Sequence, residues 1–254
     1  MKEAWEVFVK QFVTKGGYHN VLDGLGVTAL IAVSGLLIGL VIGTVIAITK
    51  VVPKYKFLPK LFSFTSDIYT GFFRGTPIVV QLLVTYFVLF PALGLRVDKL
   101  LVAIIAFGLN SAAYQSEIMR AGIMSVDKGQ MEAGRALGLS YSATMMKVII
   151  PQAIKNILPT LGNEFILLIK DTSVVSFIAV VDLTKAFRSI ADATYEYIIP
   201  YVMLALVYLV IIIIFTILIR LLEKALRKEG KTVRLNNKKD DWRSGLKKLF
   251  KGGK

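Results

Sequence analysis

The chain reads as an all-α integral membrane protein, with five transmembrane helices and one short polar helix on the cytoplasmic side between the third and the fourth. Three observations predict this class. Of the 254 residues, 55% are hydrophobic, and several uncharged runs approach or exceed the roughly 20 residues that cross a bilayer as a helix. Lipid cannot hydrogen-bond an exposed backbone, so runs of that length must be helices. The formal net charge of +14 is gathered in particular connecting segments, which gives the bundle an orientation.

Each element follows in order. Residues 1–23 are expected as an external N-terminal segment, and a transmembrane domain is expected over 24–222. The first span is Gly24–Ile48. Within it Gly35, Gly39 and Gly43 recur every four residues, a spacing that lets another helix approach the backbone closely. The plainer explanation is that glycine is common in membrane helices. The run is too long for a secretory signal, and no small-residue cleavage site follows it.

The segment "FLPKLFSFTSDIYTGFFRG" (57–75) is too polar to face lipid and too apolar for a loop, so it must be shielded by protein. Asp67 and Arg74 are two helical turns apart and share a face if one helix runs through both. Gly75 and Pro77 of "RGTP" place a kink near the start of the second span, Thr76–Leu95. The third span, Leu100–Ser116, leads into Glu117 and Arg120, which stand at i, i+3 and can pair locally.

"GQMEAGRALGLS" (Gly129–Ser140) is charged, rich in small residues and helix-prone, and predicts a short helix over about 129–139. Serines suited to capping a helix follow. Val148–Ile169 is apolar except for Lys155 and Glu164 and forms the fourth span, with Pro151 and Pro159 inside its helix. "VVSFIAVVDLTKAFRSIADATYEY" is too broken by charge to span, and it is expected to be external and partly re-entrant. The fifth span is Tyr197–Ile219. Residues 223–254 form a basic tail, where Trp242, Leu246, Leu249 and Phe250 recur at helical spacing with Lys247, Lys248 and Lys251 elsewhere on the wheel. That pattern suits either an amphipathic helix lying on anionic membrane lipid or a solvated tail.

Charge sets the orientation. Lys50, Lys54, Lys56 and Lys60 follow the first span with no acid among them, and from Arg220 onward 13 basic residues stand against 4 acidic. Arg96, Asp98 and Lys99 nearly cancel, and Lys170–Glu196 carries 3 bases and 4 acids. Basic excess marks the cytoplasmic side. Five spans with the N-terminus outside and the C-terminus in the cytoplasm satisfy every loop. The basic balance is therefore a topology signal; nucleic-acid binding would need a soluble basic face, which is not found.

Other chemistry is thinly supplied. There is no cysteine and a single histidine, His19, so disulfides are excluded and no metal site is expected. "ALRKEGKT" (Ala225–Thr232) matches a relaxed phosphate-loop pattern, but it trails a transmembrane helix where such a loop needs a buried strand before it. No other nucleotide site is visible.

At this point the chain resembles a known family. "EAGRALG" followed nine residues later by "VIIP" is similar to the cytoplasmic loop of permease subunits in bacterial ATP-binding-cassette importers, with Glu132, Ala133, Gly138, Val148 and Pro151 at corresponding positions. Two departures show: Gly134 stands where the pattern has a second alanine, and Val148 with Ile150 where it has isoleucine and leucine. "GLGVTALIA", "FFRGTPIVVQLLVTYF", "AAYQSEIMRAGI" and "LGNEFILLIKDTS" resemble recurrent blocks of one branch, the polar amino acid permeases. That branch often has an acidic residue where this chain has Gly71.

The resemblance implies a type I ABC importer-like permease fold. It also implies a coupling helix docking an ATPase subunit, a second permease subunit (this chain or a paralogue) and an external amino-acid-binding protein. ATP and Mg would be bound by the ATPase and no cofactor by this chain. The motif has its own physical sense. Small Ala133, Gly134 and Ala136 allow close approach, Glu132 and Arg135 supply charged contacts, and Gly138 suits a left-handed cap.

An ionisable residue inside a membrane helix is a functional candidate by default. Glu164, beside Asn163, could hold the ammonium or cationic side chain of an amino acid, or pair structurally with Arg74 or a neighbouring subunit. Lys170, Asp171, Thr172 and Ser173 could form an entrance or gate, and Asp67 with Arg74 could complement a zwitterion. The rival reading is a secondary amino acid transporter working without an ATPase, but the inverted repeats typical of that class are not visible.

Overall fold

The computed structural model describes residues 2–226, and all regular secondary structure among them is helical. The basic tail from 227 onward, with its interfacial-helix reading, lies outside the described residues, as does most of "ALRKEGKT".

Helix α1 (Lys2–Val9) continues into a π turn, Lys10–Thr14. Gly16, at φ +72°, turns the chain into α2 (Gly17–Val51). Residues 2–23 are therefore mostly helical and partly packed, and α2 begins seven residues ahead of the apolar run. The reason is hydrophobic: Phe8 buries against Val21, Leu183, Phe187 and Ile190.

Helix α3 (Phe57–Gly75) meets α4 (Ile78–Ala92) at 104°. The bend falls at Gly75 and Pro77, where the kink was expected, and Ile78–Ala92 is helical throughout, inside the expected span Thr76–Leu95. Pro77 forces Thr76 into extended backbone, and Ile78–Ala92 alone falls short of about 20 residues, so the pair has the length and composition of a broken span or of a re-entrant loop. Polar groups freed at the break are re-satisfied inside the protein. Gln81 Nε2 donates to the carbonyls of Phe73 (2.8 Å) and Thr76 (3.0 Å), and Asn110 Nδ2 donates to Gln81 Oε1 at 2.9 Å.

Helix α5 (Lys99–Met124) lies along α2, and the three glycines face it. A Cβ on Gly35 would meet Phe107; on Gly39, the side chains of Ser111 and Gln115; on Gly43, the backbone of Ala112 and Ser116. The small-residue spacing therefore sets how closely α2 and α5 approach.

Helix α6 (Lys128–Ala136) precedes α7 (141–171), built from Tyr141–Thr144, a π turn Met145–Ile149 and Ile150–Asp171. Both π turns of the spanning region precede a proline. The Phe90 amide bonds Thr85 O ahead of Pro91, and the Ile150 amide bonds Met145 O ahead of Pro151. A proline clashes with the carbonyl four residues back, and widening the preceding turn moves that carbonyl aside.

After α7 a 3₁₀ turn (Thr172–Ile178) leads to α8 (Leu183–Thr194), which buries Leu183, Ala186, Phe187 and Ile190 against α2 and the final helix, α9 (Ile198–Leu226). Asp182 caps α8 by accepting from the amides of Thr184 (3.0 Å) and Lys185 (2.9 Å), and Thr28 Oγ1 accepts from the Leu183 amide. Gly24 makes room, since a Cβ there would collide with the Asp182 carbonyl.

By length and composition alone, α2 and α9 can each cross a membrane, and the α3/α4 pair supplies a third span if it crosses as one bent unit. At about 39 Å for 26 residues, α5 is also longer than a hydrocarbon core of about 30 Å. It carries Asn110, Ser111, Gln115 and Ser116, all buried within the bundle. The fourth expected span, within α7, likewise holds a buried acid, Glu164.

Candidate functional site

The short helix α6 is fixed at both ends. Asp127 caps its start, accepting from the Gly129 amide at 2.7 Å. At its end Gly138 adopts φ +81°, while the Gly138 amide bonds Arg135 O and the Leu139 amide bonds Gly134 O, both at 3.1 Å. These two bonds close the helix in a Schellman cap. Arg135 Nη1 also donates to Leu139 O at 2.9 Å.

One face of α6 is bound to this chain and the other is bare. Gly134 is buried against Thr144 so closely that a Cβ would strike the threonine side chain. The alanine-to-glycine departure thus has a local cause, and Gly134 serves this chain's own packing rather than an outward contact. Met131 packs beside the cluster of Ala47, Met119, Val126, Ile149, Ala153 and Ile157. Glu132, Ala133, Arg135 and Ala136 are exposed. So is Leu137, at 83%, which the sequence reading did not single out. An exposed leucine just past a rigid helix was the available signal. Pro151 lies in α7, just after the π turn.

On one side of the bundle, α2, α3, α5 and α7 enclose two adjoining open clefts of about 640 Å³ and 760 Å³ that share Arg74, Glu117 and Arg120. The first of them is lined by Lys50, whose side chain is 5% exposed. Its Nζ is 2.6 Å from Glu117 Oε1, 3.0 Å from Asp67 Oδ1 and 2.7 Å from Thr70 Oγ1. Arg120 pairs with the other Glu117 oxygen at 2.9 Å. The expected local Glu117–Arg120 pair is present, but Lys50 joins it from 67 residues away.

The structure does not bring Asp67 and Arg74 together as a pair, although α3 runs through both. Asp67, 60% exposed, is drawn to Lys50, while Arg74 lies over the ring of Tyr114 at 5.6 Å. Glu164 is 7% exposed, and it makes no hydrogen bond or ion pair, to Arg74 or otherwise, among the described residues. Asn163 beside it is exposed. Near the opposite end from α6, Lys170 and Asp171 are exposed, whereas Thr172 is buried and donates to Ile169 O at 2.8 Å, closing the helix end. No cluster of three or more metal-ligating side chains occurs among the described residues.

This architecture has close counterparts. Residues 35–228 match the family described as binding-protein-dependent transport system inner membrane component. The arginine transport system permease protein ArtQ of Bacillus subtilis (strain 168) is 41% identical over 207 residues, covering 82% of this chain and 92% of that protein. A crystal structure of an amino acid ABC transporter with histidines superposes with a TM-score of 0.77 at 38% identity, covering 84% of this chain and 98% of the other. A chain of the inward-facing MetNI methionine ABC transporter shares the fold at 16% identity, with a TM-score of 0.65 over 85% of this chain and 97% of its own. The all-helical bundle is the permease fold of type I ABC importers, and the chain belongs to the family of binding-protein-dependent transport system inner membrane components.

Proposed function

We propose that this chain is the permease subunit of an ATP-driven importer for polar amino acids, docking its ATPase through α6. The observation that carries the docking role is the geometry of α6. It is capped at both ends, braced by Gly134 on Thr144, and it presents Glu132, Ala133, Arg135 and Leu137 outward. A rigid protrusion with charged and apolar contacts transmits the motion of a partner; a loose connector does not.

In this reading the N-terminus is outside and α6 faces the cytoplasm, as the lysines after α2 require. The clefts lined by Lys50 and Glu117 face a second permease subunit across the pathway, where a hydrated gap offsets the cost of exposed charge in the membrane. Glu164, with Asn163, meets the cationic part of the substrate, and Lys170, Asp171, Thr172 and Ser173 lie where an external binding protein delivers it. The arginine permease relative and the amino acid transporter with histidines are in keeping with a polar amino acid, cationic or neutral, as cargo. ATP and Mg are held by the ATPase, which performs the hydrolysis.

The test is purification of the tagged chain in mild detergent from its native membrane, together with ATP-driven uptake. Unaltered chain brings down a nucleotide-binding ATPase, and the Glu132→Ala/Gly138→Val pair loses both the ATPase and uptake. Undisturbed ATP-driven uptake by that variant would overturn the docking role. Transport by the chain alone without ATP would replace it with a secondary transporter.

A further inference from the structure

At the α2–α5–α7 contact, meeting the first polar cleft only at Val51, lies a crevice of about 580 Å³, lined almost wholly by apolar side chains. Leu40 and Ile48 of α2, Met119 of α5, and Met145, Ile154 and Leu161 of α7 form its walls. It is not sealed: Leu40, Ile48, Val52, Met146 and Ile154 are all substantially exposed. Its length fits one leaflet. From Leu40 to Val52 the helix rises about 18 Å at 1.5 Å per residue, against about 15 Å for half of a 30 Å hydrocarbon core.

The mouth at the α6 end is of opposite character. Tyr141 and Ser142 line it. The chain leaves the crevice at Val52, passes Lys54, which lines the polar cleft, and reaches exposed Lys56, while exposed Lys147 follows Met146. Neither Lys56 nor Lys147 makes an ion pair among the described residues. An apolar slot one leaflet deep, ending in hydroxyls and unneutralised lysines, matches one chemistry: an acyl chain attached to an anionic head.

We propose that this crevice is a binding site for an anionic glycerophospholipid of the α6-side leaflet, one acyl chain between α2 and α7 and the phosphate among Lys56, Lys147 and Tyr141. This rests on the reading that the polar clefts face the transport pathway, which leaves the crevice facing lipid. Three flexible methionines, Met119, Met145 and Met146, suit a ligand whose chain varies in length and unsaturation.

The experiment places a tryptophan reporter on the wall as Ile154→Trp, with Trp5→Phe and Trp242→Phe removing the background. The permease, with its ATPase, is assembled in phosphatidylcholine nanodiscs doped with either brominated phosphatidylglycerol or brominated phosphatidylcholine. Quenching is expected at a mole fraction at least about tenfold lower for the anionic lipid, because each lysine near the head adds a several-fold factor. The preference should disappear in Lys56→Gln/Lys147→Gln. Equal quenching by both lipids would reduce the crevice to ordinary lipid-facing surface, and no quenching by either would mean that another protein chain covers it. Both results overturn the proposal. Should the reporter variant not assemble, mass analysis of lipid retained by the unaltered complex decides it: retained phosphatidylglycerol supports the site, and its absence refutes it. None of these readouts requires transport, so uptake assays judge the importer reading separately.

Discussion

The ammonium of Lys50, at the end of α2, lies 2.6 Å from Oε1 of Glu117 in the last turns of α5, and the lysine is almost wholly buried. The pair joins two helices already held together by the glycine stripe, and it recruits Asp67 from α3. Removing one member of a buried pair strands the other's charge, at about 3–5 kcal/mol when nothing replaces it. Arg120 remains beside Glu117, so Lys50→Met is expected to cost about 2 kcal/mol or more. Glu117→Gln should cost less, because Lys50 keeps Asp67. Thermal unfolding in detergent of the two single variants and the double variant checks this. The double should be less damaging than the summed singles, and simple additivity would show that the pair is not energetically coupled.

Gly134 and Thr144 test the origin of the departure from the family motif. Gly134→Ala drives a methyl group into the threonine and should cost about 1–3 kcal/mol as overpacking. Adding Thr144→Ala should return most of that loss in both stability and ATPase recovery. If Gly134→Ala is silent by itself, the close contact does not constrain α6.

For Glu164 the readout is kinetic. Glu164→Gln keeps shape and removes charge, so the protein should assemble normally while the KM for a cationic substrate rises about tenfold or more, equivalent to about 1.4 kcal/mol of lost interaction. Unchanged uptake kinetics would reduce Glu164 to a structural acid.

Asp182 carries a pH prediction. Burial pushes its carboxyl above the ordinary range, while the amides of Lys185 and Thr184 pull the other way. A raised folded value means that the folded protein binds the proton more tightly than the unfolded chain. The associated stability is complete below the unfolded value near about 3.9 and is lost as pH rises through the folded value. Asp182→Asn keeps an acceptor for the α8 amides and removes this titration, so its melting temperature should stay flat where that of the unaltered protein declines. Asp182→Ala loses the cap and should cost about 1–2 kcal/mol. Matching pH profiles for Asn and Asp would refute the assignment.

Much of this molecule is written locally. Charge-free runs specify helices because a backbone in lipid has no other way to satisfy itself. The left-handed position of Gly138 and the packing stripe of Gly35, Gly39 and Gly43 follow from residue type and spacing. The short helix α6 was legible for the same reason: its cap, small residues and charges all lie within a dozen positions.

What only the tertiary structure decided are relationships between distant residues. Sequence spacing set Asp67 beside Arg74 on one helix, but a buried lysine 17 positions upstream of Asp67 offers its acid a stronger partner than an exposed arginine two turns away. The α3/α4 pair needed Gln81 and Asn110 to bond the exposed backbone at the bend, and Asn110 arrives from another helix. Gly134 faces inward because Thr144, beyond the turn, occupies the space its side chain would take. Local patterns therefore determined which segments are helices; the contacts made across the bundle determined which charges meet, because Coulomb attraction and packing act through space and not along the chain.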